Sequence, residues 1–433
     1  MITLENEERG SYSLGFLHIK INTTESLNNL NELVKNNSLT FSTFLHEYIH
    51  FLQNFTTTSG LYSSSFYIQL IKYTVTKIKE NKASIIQLPV GIDDDFNRLS
   101  IHSLNTIYLG DRFLRNRVIY RSYYFDEVQI IDLSDNVPIK VKKYFVEYTN
   151  MDSYKEEKYN FGITALKELV AHKIQNSFEE VNHPDIPYLI AELIIDKELP
   201  ELKDNDKLKI LLCDAALMHL HPAQLFFETI EKLKGTSYPK SPALFYKHIF
   251  KDLRYEGKLG NFPNTIKLFD HIYQDICSNY KDAFKSEIFN EELIWLLHIL
   301  KNAREIRLRN PLFIIDLINS KGKFTIQFKR IIKQLGTPFF INSLDEGGFI
   351  PPAKLKKIPK QVYILFSAAE LLLNAHGKKG CAMFGLCSKN YVEKNVTNDF
   401  CKSNPFERIG EADACSFVQL CKTWGIHEKQ YVI

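Results

Sequence analysis

From Phe41 to Thr57 the chain divides its apolar and polar residues with the period of an α-helix. At about 100° per residue, Phe41, Phe44, Leu45, Tyr48, Ile49, Phe51, Leu52 and Phe55 share one side of the helical wheel. Ser42, Thr43, His46, Glu47, His50, Gln53, Asn54 and Thr57 share the other. A stripe so rich in aromatic residues must pack on a core, and this commits the chain to a folded, helix-bearing architecture. The polar side is the more informative half. His46 and His50 are one turn apart, so their Cβ atoms stack on the same face. Two imidazoles on one rigid element can bind a metal ion, and Glu47 beside the first can reach a metal-bound water without binding the ion. The competing reading is a pair of surface histidines on an amphipathic helix. Thr40 or Ser42 is expected to cap the start of this helix. Gly60 is expected at its end or in the loop beyond.

The rest of the chain reads as predominantly helical α+β with a small sheet. Residues 12–22 alternate as a strand does, and 64–80 has helical period. Between 84 and 160, short β-branched and aromatic runs at Val128–Leu133, Ile139–Lys143 and Tyr144–Tyr148 alternate with turn residues, which predicts hairpins. Helical period returns from about 162 to 335 and again over 358–375. At 433 residues, with 45% hydrophobic residues and 31 Phe, the chain can bury a large core. A net charge of +3 gives no reason to expect nucleic acid or an anionic membrane as partner. The basic stretches Arg304–Arg309 and Lys354–Lys357 read as solvated helix faces. Apolar runs such as Val362–Leu373 are shorter than the roughly 20 residues of a membrane span. Met1 to Arg9 carries acids where a secretory leader carries bases, so a cytoplasmic location is expected.

A catalytic metal usually takes three protein ligands and leaves one position open. After His50 come Phe-Leu-Gln-Asn-Phe-Thr, with no third histidine close by, so the last ligand must come from further along. Glu168 is the strongest candidate, with Glu192 and Asp214 as alternatives. On its own wheel Glu168 is flanked by Thr164, Ala165, Ala171, His172 and Gln175, small or polar residues that let two helices approach. His46-Glu47-x-x-His50 together with Glu168-Leu-Val-Ala171 resembles the gluzincin group of zinc peptidases, in which a distant glutamate opens a short Glu-x-x-Ala signature. The resemblance covers two short helices. It implies zinc held by His46, His50 and Glu168, with Glu47 as general base in the hydrolysis of a protein or peptide substrate. Glu168 lies further from His50 than in thermolysin-like enzymes, so an insertion is expected, and the stretch 84–160 is the natural one. His172 stands where those enzymes often place an acid. It reads as a partner to a ligand, as an oxyanion donor or as an ordinary helix residue. Asn54, one turn past His50, is a candidate for orienting an imidazole. The oxyanion donor stays open among His172, Tyr188, His219 and His221.

This reading divides the chain into a metallopeptidase-like catalytic region at 1–245, a helical region at 246–370 and a Cys-rich module at 371–433. That module holds Cys381, Cys387, Cys401, Cys415 and Cys421, flanked by His376 and His427. No Cys-x-x-Cys pair is present, so an ordinary zinc ribbon is excluded. Three readings compete: a structural zinc or iron–sulfur cluster, buried free thiols, and redox-active thiols. The rival functions are a non-catalytic zinc-containing binding or sensor protein and a nucleic-acid-binding protein acting through the tail. The intact Glu47 argues against the first, since a structural site needs no base. No prosegment is apparent, which leaves control to a regulatory protein partner or a sensed ligand.

Overall fold

The computed structural model describes residues 9–13, 18–27, 38–90, 100–132, 137–251, 253–257, 260–318, 326–344, 346–355, 360–374, 380–389, 396–411 and 415–432. The order begins with β1 (Gly10–Ser13), β2 (His18–Ile21), α1 (Ser38–Thr56) and α2 (Thr58–Glu80). Next come β3 (Ile85–Gln87), α3 (Ser100–Leu109), β4 (Val118–Asp132), β5 (Val137–Asn150) and β6 (Lys155–Asn160). Helices then dominate: α4 (Ile163–Asn176), α5 (Asp185–Tyr188), α6 (Ile190–Glu198), α7 (Asp206–Leu217), α8 (Pro222–Leu233) and α9 (Pro242–Phe250). The hairpin β7 (Tyr255–Gly257) and β8 (Gly260–Phe262) precedes α10 (Thr265–Ala283), α11 (Asn290–Arg309) and α12 (Ile326–Leu335). The last part carries β9 (Phe339–Ile341), β10 (Gly347–Gly348), α13 (Lys360–Asn374), α14 (Phe384–Ser388), α15 (Phe400–Ser403), α16 (Ser416–Thr423) and β11 (Gln430–Val432). The fold is α+β and predominantly helical, as the periodicities predict.

Helix α1 is the centre of the packing. Phe44, Leu45, Tyr48, Ile49, Phe51 and Leu52 are fully buried, and each such side chain stabilises the fold by roughly 1.5–3 kcal/mol. The Tyr48 hydroxyl donates to Gly336 O at 2.8 Å. The polar face is buried as well, because α4 and α2 cover it: Gln53 Nε2 donates to Lys167 O at 3.2 Å, and Asn54 Nδ2 to Ser64 Oγ at 3.1 Å. Thr57 is extended (φ −121°, ψ 153°) and separates α1 from α2, while its Oγ1 accepts from Gly60 N and caps the second helix. Gly60 therefore lies in the first turn of α2, not at the end of α1. A Cβ there would stand 2.3 Å from Gln53 O, so only glycine lets the two helices approach this closely. Helix α2 also begins six residues before the predicted 64, because Ser59, Ser63 and Ser64 mask its period while being buried. Neither expected cap of α1 acts as one. Thr40 Oγ1 donates to Glu25 and Ser42 Oγ donates back to Leu39 O.

One strand expectation needs correction and another needs refining. The alternation over 12–22 belongs to two antiparallel strands, β1 and β2, with Gly10 opposite Ile21. Alternation carries no sign of chain reversal. The hairpins expected in 84–160 are present, but as one antiparallel meander of long strands, β4–β5–β6, and the stretch also holds β3 and the helix α3. Charged residues on the exposed face, such as the cross-strand pair Glu127 and Lys142, interrupt the apolar runs without interrupting the strands. In the other main sheet the order is β1–β2–β9–β10, with β1 at the edge against α1. Among the described residues no helix is long and apolar enough to cross a membrane.

Candidate metal centre

Helix α1 aims His46 and His50 at α4, and α4 aims Glu168 back. The two Nε2 atoms are 3.2 Å apart. Glu168 places Oε2 3.0 Å from His46 Nε2 and Oε1 3.4 Å from His50 Nε2. A tetrahedral ion with metal–ligand distances of about 2.0–2.1 Å needs its ligand atoms roughly 3.3–3.4 Å apart. The other ring nitrogens are committed: His46 Nδ1–H donates to Gln175 Oε1 and His50 Nδ1–H to Gln53 Oε1, each at 3.0 Å. With both protons held there, two imidazole lone pairs and a carboxylate converge on one point, an arrangement that calls for a cation. Among the described residues these three form the single group of His, Cys, Asp and Glu side chains spaced for an ion.

No protein-family model matches this chain, and no curated protein or solved structure does. The functional argument therefore rests on the site itself.

Glu47 is 6% exposed and opens onto the same cavity as the three ligands, about 370 Å3 in volume. Strand β1 passes directly over it. A Cβ at Gly10 would lie 3.1 Å from Glu47 Oε1, so the glycine leaves the carboxylate room. Arg112, Thr164, Lys167 and Tyr188 also line the cavity. Burial raises the Glu168 carboxyl pKa, but His50 and His46 outweigh it and hold the group well below the usual carboxylate range. For His50, burial opposes the charged form while Glu168 and Glu47 favour it, with a net upward shift. Burial, and then Arg112, push the Lys167 amine down to about 7 against the pull of Glu168.

The other residues singled out in the sequence divide clearly. The alternative ligands Glu192 and Asp214 are occupied elsewhere. Glu192 takes Lys173 at 2.6 Å and Lys209 at 2.7 Å. Asp214 is fully buried in a bidentate pair with Arg307 at 2.6 and 2.9 Å. Arg307, read as part of a solvated face, is thus a core residue at 2% exposure. Asn54 Nδ2 donates to Tyr12 OH and Ser64 Oγ. His172 contacts Asn176 rather than a ligand, its ring packs edge-on against His183, and burial first pushes its pKa down to about 3. His219 and His221 line a different cavity of about 660 Å3 between α2, β5 and β7, which removes them as oxyanion donors. Tyr188 does reach the site, its ring 5.8 Å from that of His46.

Three residues that the sequence reading did not assign are central. Gln53 and Gln175 fix both imidazoles. Each had been placed on the ligand side of its helical wheel, so position was available and only the contact was not. His183 has no such signal. It lies in the loop before α5, stacks on Tyr188 at 4.2 Å, and shares Gln175 Oε1 with His46 at 2.9 Å.

Proposed function

We propose that this chain is a zinc-dependent hydrolase of peptide bonds. The observation that carries the reading is the convergence of His46 Nε2, His50 Nε2 and Glu168 at ion spacing, with Glu47 facing the same cavity. His46, His50 and Glu168 would hold the zinc, which would supply a water of lowered pKa and polarise the scissile carbonyl. The chain does the rest. Gln175 and Gln53 hold His46 and His50 in the tautomer that presents Nε2. Glu47 removes the water's proton during attack and hands it to the leaving amine. Lys167, Arg112 and Tyr188 are the cavity's donors for the oxyanion.

A peptide substrate is favoured by β1. Among the described residues it is an edge strand, and its Gly10, Ser11 and Tyr12 line the cavity beside Glu47. An extended peptide can add to such an edge through main-chain hydrogen bonds, which bring its carbonyls to the ligand cluster. None of the seven cysteines is in a disulfide, which accords with a reducing, cytoplasmic setting.

The test is cleavage of an unbiased peptide mixture read by mass spectrometry, comparing the native chain with Glu47→Gln. The expected result is cleavage that falls by about 10²–10⁴-fold in the variant while its metal content is unchanged. Equal turnover in the two proteins would remove Glu47 from the chemistry.

A further inference from the structure

The tail cysteines are not spread through the module as independent packing groups. Cys381 precedes α14, Cys387 lies within α14, Cys401 lies in α15 and Cys415 caps α16, yet all four line one small cavity of about 20 Å3 with Met383, Phe384 and Phe417. The backbone ties the first and third together, since Cys381 N–H donates to Cys401 O at 2.8 Å. The fifth, Cys421, is fully buried inside α16 and does not line the cavity.

The groups facing the sulfurs are a guanidinium, which can only donate, and a hydroxyl. Arg408 is 4% exposed; its Nε and Nη2 are taken by Glu411 at 2.9 and 2.8 Å. Its Nη1 points between two sulfurs, 3.1 Å from Cys401 Sγ and 3.7 Å from Cys415 Sγ. Ser367 Oγ accepts from Ala382 N at 2.9 Å and lies 3.1 Å from Cys381 Sγ. A neutral thiol is a weak acceptor, and a buried guanidinium N–H aimed at two of them would be poorly satisfied. Thiolates satisfy it well, and a cluster of buried thiolates requires a cation to hold it. The surrounding elements are also too slight to stand alone, with helices of 5, 4 and 8 residues.

We propose that Cys381, Cys387, Cys401 and Cys415 hold a thiolate-bound metal centre, with Arg408 donating to two of its sulfurs and Cys421 outside it. The chemistry is shared by zinc and by an iron–sulfur cluster. The four sulfurs are not gathered at single-ion spacing as the His46–His50–Glu168 group is. Arg408 Nη1 is within hydrogen-bond reach of both Cys401 and Cys415. The proposal is independent of the peptidase reading, because the two sites share no residue.

The experiment uses the full chain purified without oxygen. Zinc, iron and acid-labile sulfide are measured, with the visible spectrum, for the native protein and for Cys401→Ala, Cys415→Ala, Cys421→Ala and His46→Ala. The first two variants should lose the centre, and the last two should keep it. Iron with sulfide and visible absorbance identifies a cluster, and zinc retained in His46→Ala identifies a zinc site. Because a cysteine variant can fail to fold, the native chain is also titrated with a mercurial, which should release the metal as the four cavity thiols react. No metal beyond that bound at His46, thiols that react without metal release, a disulfide among the four, or loss in Cys421→Ala equal to that in Cys401→Ala would each overturn the proposal.

Discussion

The chain gathers side chains of types that can ligate a metal in two places, and it builds the two in opposite ways. The His46–His50–Glu168 group stands on helices of 19 and 14 residues, packed against each other and buried along most of their length. Its ligand atoms lie within 4.8 Å of one another, and glutamines fix both rings. The cysteine group is carried by turns and by helices of a turn or two, and its sulfurs surround a cavity without closing on it. Rigid long helices set ligands in place before a metal arrives. Short elements wait for the metal to set them. The first arrangement suits chemistry, where an open position and an undistorted site matter. The second suits a staple, where binding energy becomes folding energy.

The contrast makes graded predictions. The largest effect is expected from Glu168→Ala, which removes one of three ligands. Hydrolysis should fall to background and the metal at that site should be lost, while circular dichroism stays that of the native fold. Global unfolding in this variant would mean the helical site depends on its metal, as the tail is held to do. Next is exhaustive chelation. Amide hydrogen exchange should speed up across 380–432 while α1 and α4 remain protected, and uniform loss of protection would erase the distinction between the two regions.

Smaller effects probe the preorganisation itself. Gln175→Leu should weaken metal binding by about 10–100-fold, since His46 then loses the acceptor that fixes its tautomer. Asn54→Ala, which sequence reasoning would have placed in the same role, should leave metal affinity unchanged. Competition with a chromophoric chelator distinguishes the two. The smallest is Gly60→Ala. Its methyl would press on Gln53 O at the α1–α2 contact, and a stability loss of about 1–3 kcal/mol is expected in denaturant titration. A neutral result would mean the contact is less constrained than its geometry requires.

How much of this was legible in the chain follows from the same contrast. His46, Glu47 and His50 could be read because donors and periodicity lie within one helix. Glu168 needed the resemblance of its short signature, since nothing local says which helix will face α1. Gln53 and Gln175 were visible as neighbours and invisible as partners, because the hydrogen bond depends on rotamers that the packed pair of helices selects. His183 arrives through the loop before α5, where no period exists to read, and Tyr188, named as a candidate donor, could not be tied to His46 for the same reason. The buried Arg307–Asp214 pair joins two helices distant in sequence, and a charged residue at that position looks solvated until its partner is known. The long strands β4 and β5 were under-read because their polar residues are pattern, not punctuation. Parallel pairing of β3 with β11, which ties the end of the chain to the segment after α2, depends on tertiary closure alone.

The central claim is that His46, His50 and Glu168 bind a catalytic metal ion. The most direct measurement is anomalous diffraction at the zinc edge from crystals of the native chain, which locates each metal separately. A peak bounded by His46 Nε2, His50 Nε2 and the Glu168 carboxylate, about 2.0–2.2 Å from each, is the predicted result. Crystals of metal-replete, active protein with no peak between those three side chains would contradict it.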